Sequence, residues 1–441
     1  LIATFFEMSK RKCLDIEPAL NETPDVDSAH VLPNDVLIHI FSRLPFAARF
    51  FFMAVCKRWK TCLSHPSLYE QVDLSPWAET VTDEVLSYIV AKSDGRMREI
   101  SLRRCDKVTK LDSLERLTRL ETLDLLDCSS LKGNVFDTLS KLPATLTYLD
   151  LCGCCNLEHN SPKKALKDYA KLASLKNLRR LAIEDGAITA KSVAPLMALK
   201  DLRHLELRQI SSGPAPISSH LTALTNLETL IYTSQWTSGP ALDVVHLSRI
   251  TTLRVLKLTS DMGANDFKEL TFLRTLSRLE SLRLVPVTLS HTGSQSLALL
   301  SNLTRLHLQL EQHSPEDTQR SFAAALGRLT RLEKLTLTDI GPSCWNNLHP
   351  LPNLRRCCFK IEAFEGRENC ERLGRFVADS KCLEFELDVW WSREMDLMPA
   401  VPFLRGLKQF SLCGVSSTFA DENSLRQAFV GTSTKFMITH S

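Results

Sequence analysis

A leucine-spaced phrase, LxxLxL with occasional apolar replacements, recurs thirteen times along the chain. Its first positions run from Met97, Leu120 and Leu146 to Leu354, Cys382 and Leu407. The mean period is about 26 residues, and self-similarity at that period calls for a stacked array rather than a single globular core. Each phrase reads as one short strand, since alternate strand residues point to opposite faces. The leucines then line an interior while the residues between them face out. Strands stack about 4.8 Å apart, whereas a helix is about 10 Å across. Helix-containing return segments therefore splay, and the expected form is an α/β solenoid, a horseshoe with a parallel sheet on its concave face.

Variation among the phrases is informative. Three early ones extend to a cysteine (Cys105, Cys128 and Cys154), each followed three residues later by Val108, Leu131 or Leu157. A small, weakly polar thiol suits a tight interior turn. Return segments such as Leu221 to Leu227 and Leu270 to Leu276 carry apolar residues every three or so positions, as a helical or 3₁₀ wall does. The stretch Thr82 to Ser93 reads as a first helix, Pro162 to Leu175 as an extended amphipathic helix, and Glu311 to Asp317 as a protruding loop. Glu362 to Glu371 fills another long interval. Asp421 to Val430 reads as a closing helix and Lys435 to Thr439 as a final strand.

Ahead of the repeats, Leu32 to Leu74 has a different grammar. Pro33 suits the first turn of a helix, where its missing N–H costs nothing, and Asp35 sits near the positive helix end. Val36, Leu37, Ile40, Phe41 and Leu44 form one broad apolar stripe at helical spacing, and Pro45 ends that helix. A second apolar stretch, Phe50 to Val55, leads into Cys56-Lys57-Arg58-Trp59. Forty-odd residues bury little core of their own, so an exposed apolar face here needs a partner.

Composition excludes several classes. The 441 residues carry 54 basic and 51 acidic side chains, a net charge of +3 that gives no general pull towards nucleic acid or membrane. Fourteen cysteines are present, but several occupy interior repeat positions and no secretory signal is legible, so free thiols in a reducing cytoplasm or nucleus are expected. The sequons at Asn21 and Asn302 are then accidental. No apolar run approaches a membrane span. Met8 reads as an N-terminus, the first seven residues as a fragment edge or start error, Lys10-Arg11-Lys12 as part of a solvated tail, and residues 1–30 as disordered.

The Leu32–Leu74 segment resembles the F-box, which docks substrate receptors onto the Skp-type adaptor of cullin–RING ubiquitin ligases. The match rests on the LP opening at Leu32 and Pro33, the Leu37/Ile40/Phe41 core, VCKRW at Val55 to Trp59, and the SLY-to-VDL exit. Tyr69 stands where that family usually carries Trp, and Phe50-Phe51-Phe52 is unusually apolar, as extra core or extra interface. The phrases after it resemble leucine-rich repeats, the early ones the cysteine-containing subclass common in F-box proteins. The resemblance implies an F-box at 31–75 and a solenoid of about thirteen repeats at 76–441. It places Leu32, Pro33, Leu37, Ile40, Phe41 and Val55 in an adaptor interface, with Trp59 anchoring the module's own core. A helical cap over the first repeat is the plainer reading of the same segment.

Catalytic signatures are missing from the sequence: no GxxxxGK, HExxH or GxSxG occurs. No cofactor is expected. Cys152-Gly-Cys154-Cys155 holds a CxxC spacing whose further ligands would be Cys128 and His159, but Cys154 is already an interior repeat residue, so no metal site is assigned. Cys357 and Cys358 alternate across a strand. The outward strand positions carry the candidate binding surface: Asp124, Asp150 and Glu206, with Asp127, Glu184 and Asp185 beside them, then Lys257, Arg283, Arg305, His307, Lys334, Arg356 and Lys360, and acids again near Glu386. Sign changes of this kind suit a protein partner with its own charge pattern. The role that the F-box and leucine-rich-repeat resemblance implies is a non-catalytic substrate receptor of a Skp–cullin–F-box ligase. A non-degradative scaffold, or a small-molecule co-receptor like the plant hormone sensors with a pocket floored by Arg283, Arg305 and Lys334, remain the alternatives.

Overall fold

The structure, a computed structural model, describes residues 32–440 apart from residue 133 and the segments 211–216, 235–242, 261–269, 311–314, 342–343, 345–346, 362–366, 390–396 and 416–421. The expectations for the N-terminal tail, for Met8 and for the loop at Glu311 to Ser314 lie outside the described residues. Two compact units divide the chain, Leu1–Gln209 and Ile210–Ser441.

The first unit opens with three helices. Helix α1 (Asn34–Ser42) starts directly after Pro33, whose carbonyl accepts the N–H groups of Val36 and Leu37, and it stops before Pro45. Helix α2 (Phe46–Phe52) begins after that proline, and α3 (Lys57–Leu63) is capped by the Cys56 thiol, which accepts the Trp59 N–H at 3.4 Å. The chain then forms strand β1 (Gln71–Asp73), helix α4 (Asp83–Lys92), β2 (Glu99–Ser101), β3 (Thr122–Asp124), α5 (Val135–Ser140), β4 (Tyr148–Leu151), α6 (Pro162–Leu172), β5 (Arg180–Glu184) and β6 (His204–Ile210). All neighbouring strands are parallel and follow chain order. Thr82 and Ser161 cap α4 and α6 from the positions where a hydroxyl accepts a free N–H of the first turn. Both helices match their sequence spans closely. In the sequence, β1 marks only the exit of the helical module; at three residues, with Val72 alone facing inward, its alternation is too short to register. Through it the helical module and the first repeats share one unit.

Each early cysteine follows a residue in the left-handed region: Arg104, Asp127 and Gly153 have φ of 60°, 61° and 70°. That turn drives the next side chain inward, and Cys105, Cys128 and Cys154 are all buried. Cys128 Sγ donates to the Leu102 carbonyl at 2.9 Å, and Cys154 Sγ to that of Leu125 at 3.1 Å, each one repeat back. Burial pushes the Cys105 and Cys154 thiols up to about 12. All thirteen cysteines among the described residues are free.

The second unit continues the plan with β7 (Thr229–Ser234), β8 (Val255–Ser260), β9 (Ser281–Val287), β10 (Arg305–Leu310), β11 (Lys334–Thr338), β12 (Arg356–Ile361), β13 (Glu384–Val389), β14 (Gln409–Val415) and β15 (Lys435–His440). They too pair in parallel and in order. Leu256, Leu282, Leu306 and Leu335 stand in one inward register row, each worth roughly 1.5–3 kcal/mol when fully buried. From β13 the row changes to phenylalanine, and Phe385, Phe410 and Phe436 stack at 5.5 and 5.2 Å. Return segments include a 3₁₀ turn at Leu270–Thr275 and helices at His291–Leu297, Glu316–Gly327, Arg367–Asp379 and Glu422–Ala428. Glu316 and Asp317, expected in a loop, instead supply the acidic first turn of a helix that starts after Pro315.

Candidate functional site

The helical module sorts its apolar residues into two sets. Leu37 and Phe41 are 3% and 2% exposed, packed inward together with Phe46 and Met53. Phe41 meets Trp59 edge-on at 5.1 Å, and Phe52 meets the same indole at 5.9 Å. Trp59 thus holds α1 and α2 against α3. Leu37 and Phe41, expected at an adaptor interface, are buried within the module itself in the free chain. Outward stand Val36, Ile40, Phe51 and Val55 at 39%, 45%, 59% and 59% exposure. Val36 and Ile40 are four residues apart and share one helix face. Pro33 is exposed and Leu32 half-buried. The phenylalanine run divides, since Phe50 packs on Phe46 and Trp77 at 5.0 and 5.5 Å while Phe51 faces out.

Two arginines fix this geometry. Arg58 donates to the Leu32 carbonyl and, at 2.9 Å, to Asn34 Oδ1, pinning the start of α1. Arg49 donates to the carbonyls of Leu44 (3.1 Å), Ser42 (3.2 Å) and Leu68, joining the end of α1 to the exit of the module. Sequence reading missed Arg49; the available signal was a lone cation inside an apolar helix. Tyr69 is buried against Phe46 at 5.8 Å, and burial pushes its phenol up.

On the outward sheet face of the first unit, Ser101, Asp124, Asp150, Ala182 and Glu206 form a single register row. Its acids are turned into structural work. Asp124, Asp150 and Glu206 are 7%, 6% and 5% exposed. Arg103 Nε donates to Asp124 at 2.5 Å, Arg208 Nε to Glu206 at 2.6 Å, and the Cys152 N–H to Asp150 at 3.0 Å. Burial alone would raise the Glu206 carboxyl, but the nearby His204 and the Arg208 hydrogen bond prevail and bring it down to about 2. Burial does win at Asp150, whose carboxyl is raised. Asp127, also expected outward, pairs with Arg104 at 3.5 Å.

Asp185 does not belong to that face. It is 2% exposed and anchors a buried network in which His159 Nδ1 lies 2.5 Å from Asp185 Oδ2, and His159 Nε2 lies 3.0 Å from Asp168 Oδ2. Tyr169 donates to Asp185 at 2.5 Å, and Lys171 bridges Asp168 (3.1 Å) and Asp137 (2.8 Å). Burial pulls the His159 pKa down, but its two carboxylate partners outweigh that and raise it. Both ring nitrogens face carboxylates, so neither is available to a metal. The sequence sets His159 beside Cys128 and Asp185 outward, because a strand of five residues gives no sign that the chain turns inward directly after Glu184.

The second unit carries the cations. Ile231, Lys257, Arg283, His307, Thr336, Cys358 and Glu386 make up the central outward row. Beside it, Ser281, Arg305, Lys334, Arg356 and Glu384 form a flanking row. Arg283, Arg305, Lys334 and Arg356 are exposed, and Lys257 is half-buried. Arg356 pairs with Glu384 at 3.6 Å and Lys360 with Asp388 at 3.2 Å. His307 is pushed down to about 4 by burial and by Arg283 and Lys360, so it is a neutral hydrogen-bonding group at pH 7. Cys358 shares the outward row yet is nearly covered, unlike the exposed thiol that simple alternation implies.

Comparison with known proteins separates the helical head from the repeats. A model of the leucine-rich repeat region family matches residues 172–430, and an F-box-like model matches residues 29–75. Among curated proteins, nothing matches the sequence significantly. Similar solved structures include a leucine-rich-repeat protein of Leptospira interrogans, at 14% identity and a TM-score of 0.42, covering 86% of this chain and 98% of that one. Internalin C2 of Listeria monocytogenes is 19% identical with a TM-score of 0.31, covering 57% and 83%. The leucine-rich-repeat ectodomain of the receptor kinase GASSHO1/SCHENGEN3 of Arabidopsis thaliana is 19% identical with a TM-score of 0.41, covering 78% and 38%. Among the described residues, no helix is long and apolar enough to cross a membrane. With six parallel strands in one unit, nine in the other and a three-helix module before them among the described residues, the chain belongs to the leucine-rich-repeat proteins and carries an F-box-like domain at its head.

Proposed function

We propose that this chain is the substrate-recognition subunit of a Skp–cullin–F-box ubiquitin ligase, with the F-box at 31–75 docking a Skp-type adaptor and the repeats holding a target protein. The observation that carries the reading is the set of apolar side chains left in solvent on so small a module: Val36, Ile40, Phe51 and Val55. Its own core is already filled by Leu37, Phe41, Phe46 and Met53, so the exposed set is not spare core material. Val36 and Ile40 lie together on one face of α1, and apolar side chains left side by side on a surface mark an interaction site. In this role the chain performs no chemistry; it raises the effective concentration of target beside a ubiquitin-loaded enzyme. Cytoplasm or nucleus is the compartment such a ligase implies.

A small-molecule receptor would rest on Arg283, Arg305 and Lys334. Each is exposed on an open strand face, whereas a small ligand needs most of its surface enclosed. The arrangement suits a polymer better.

Titration calorimetry of the full chain with purified Skp-type adaptor tests the docking. Ile40→Asp should weaken binding at least about tenfold, a loss of roughly 1.4 kcal/mol, with the thermal midpoint unchanged. Equal binding by Ile40→Asp and wild type would remove α1 from the interface. An adaptor that ignores the wild-type chain would leave the module as a cap on the repeats, and the protein as a scaffold outside any ligase.

A further inference from the structure

Register puts like charges side by side on the second unit's sheet. Arg305, Lys334 and Arg356 face one another on consecutive strands β10, β11 and β12, and Lys257 faces Arg283 on β8 and β9. Like charges directly opposite each other destabilise a sheet. The nearby acids do not offset this. Glu280 pairs with Arg254, Glu384 with Arg356, and Asp388 with Lys360. Lys257, Arg283, Arg305 and Lys334 form no ion pair among the described residues. Nothing in the repeat architecture demands a cation at these positions, since the corresponding sites on β7 are Ile231 and Thr229. The arrangement costs stability in the free protein and becomes favourable once an anion lies across it.

We infer that the outward face of β8 to β11 holds an acidic segment of the target protein, anchored by Lys257, Arg283, Arg305 and Lys334. The inference deepens the proposed function and rests on the repeats being its target-binding part. Strands about 4.8 Å apart place β8 and β11 roughly 14 Å apart. An extended peptide rises about 3.4 Å per residue, so a run of four or five residues spans the patch. The guanidinium forks of Arg283 and Arg305 suit carboxylate or phosphate oxygens, and His307, next to Arg283 in the central row, supplies a neutral hydrogen-bonding group. Beyond Arg356 the sign reverses at Glu384 and Glu386 on β13. The segment therefore ends its acidic run there, with a basic or neutral residue next. A nucleic acid fits less well: the two rows carry no Phe, Tyr or Trp between β8 and β12, so bases have no stacking platform, and the acids of β13 would repel a continuing phosphate chain.

Fluorescence anisotropy on the full chain tests this with three probes: a labelled peptide of five consecutive glutamates, a peptide of the same length with two phosphoserines, and a single-stranded oligonucleotide of matched charge. Saturable binding of either peptide is expected, weakening with added salt. Whichever peptide binds more tightly identifies carboxylate or phosphate as the recognised group. The double substitution Arg283→Gln with Lys334→Gln should cut affinity at least about tenfold while leaving the thermal midpoint equal to wild type or higher. That combination separates a binding surface from a structural one. A seated anion should also raise the His307 imidazole pKa in a proton NMR titration. No saturable peptide binding, equal binding by the double variant, or a preference for the oligonucleotide would each overturn the assignment. Adaptor binding is measured on the same samples. Peptide failure with adaptor retained rejects the acidic segment alone, whereas adaptor failure rejects the ligase reading whatever the peptides do.

Discussion

Gly153 shows how narrowly a single position is set. Its φ of 70° is left-handed, and a side-chain carbon there would collide with the Asp127 carboxylate and lie 3.0 Å from Asp127 Cα. Gly153→Ala meets both penalties, backbone strain and clash, and should cost about 1–3 kcal/mol, read as a lowered denaturation midpoint. The cysteines one step on from Arg104, Asp127 and Gly153 were legible from their spacing; of the left-handed residues before them, Gly153 is the type that favours such a conformation, Asp127 gives a weak sign and Arg104 none. His159 is the other exacting position. Its pKa is raised, so the stability contributed by its charged form is complete below the unfolded value near 6.5 and is lost as pH rises through the folded value. For Asp185 burial raises the carboxyl, but hydrogen bonds from His159 and Tyr169 bring it lower overall; its contribution is present above about pH 3.9 and lost as pH falls through the folded value. Thermal midpoints across pH should therefore be greatest in mild acid, and Asp185→Asn should flatten that profile while costing about 3–5 kcal/mol, as breaking a buried ion pair does. A profile identical in wild type and variant would show that the network carries no linkage.

Among the helices, the informative contrast lies within α1. Leu37→Ala should remove about 2–5 kcal/mol from the stability of the module, because its side chain is core. Ile40→Asp, one turn further along, should change the melting temperature little. Circular dichroism on the two variants distinguishes them, and makes Leu37 an unsuitable probe of adaptor contact, since loss of folding would mimic loss of binding. Proline punctuation and capping hydroxyls made α1, α4 and α6 readable in sequence: Pro33, Pro45, Thr82 and Ser161 act locally, and local rules are what a linear string records. The division of α1 into core and exposed faces was not readable. A five-residue apolar stripe is wider than the surface its neighbours cover, and which part stays in water depends on Trp59 and Arg49, held in place by chain far along the sequence. Asp185 escaped for the same reason, since its partners His159 and Tyr169 lie 26 and 16 residues before it.

Repetition makes each unit a series of near-neighbour contacts, and stability in such a series is local. Leu335→Ala, which empties a buried site on β11, should speed amide hydrogen exchange in β10, β11 and β12 and leave the first unit's strands unchanged; uniform acceleration throughout the chain would contradict a one-dimensional stack. The period and the inward leucines were visible from the outset because the same spacing is written thirteen times, and the outward rows followed from it. The direction of the side-chain bonds between repeats was invisible. Cys128 reaches back to Leu102, Cys154 to Leu125, Asn177 to Ala144, Thr252 to Leu227, Asn302 to Ser277 and Asn353 to Thr330. In every one of these the donor is the later residue and the acceptor a carbonyl made earlier. At these six joints a repeat leaving the ribosome meets acceptors already in position, whereas Arg103 to Asp124 and Arg405 to the Ala428 carbonyl donate forward and close only once the next repeat is made.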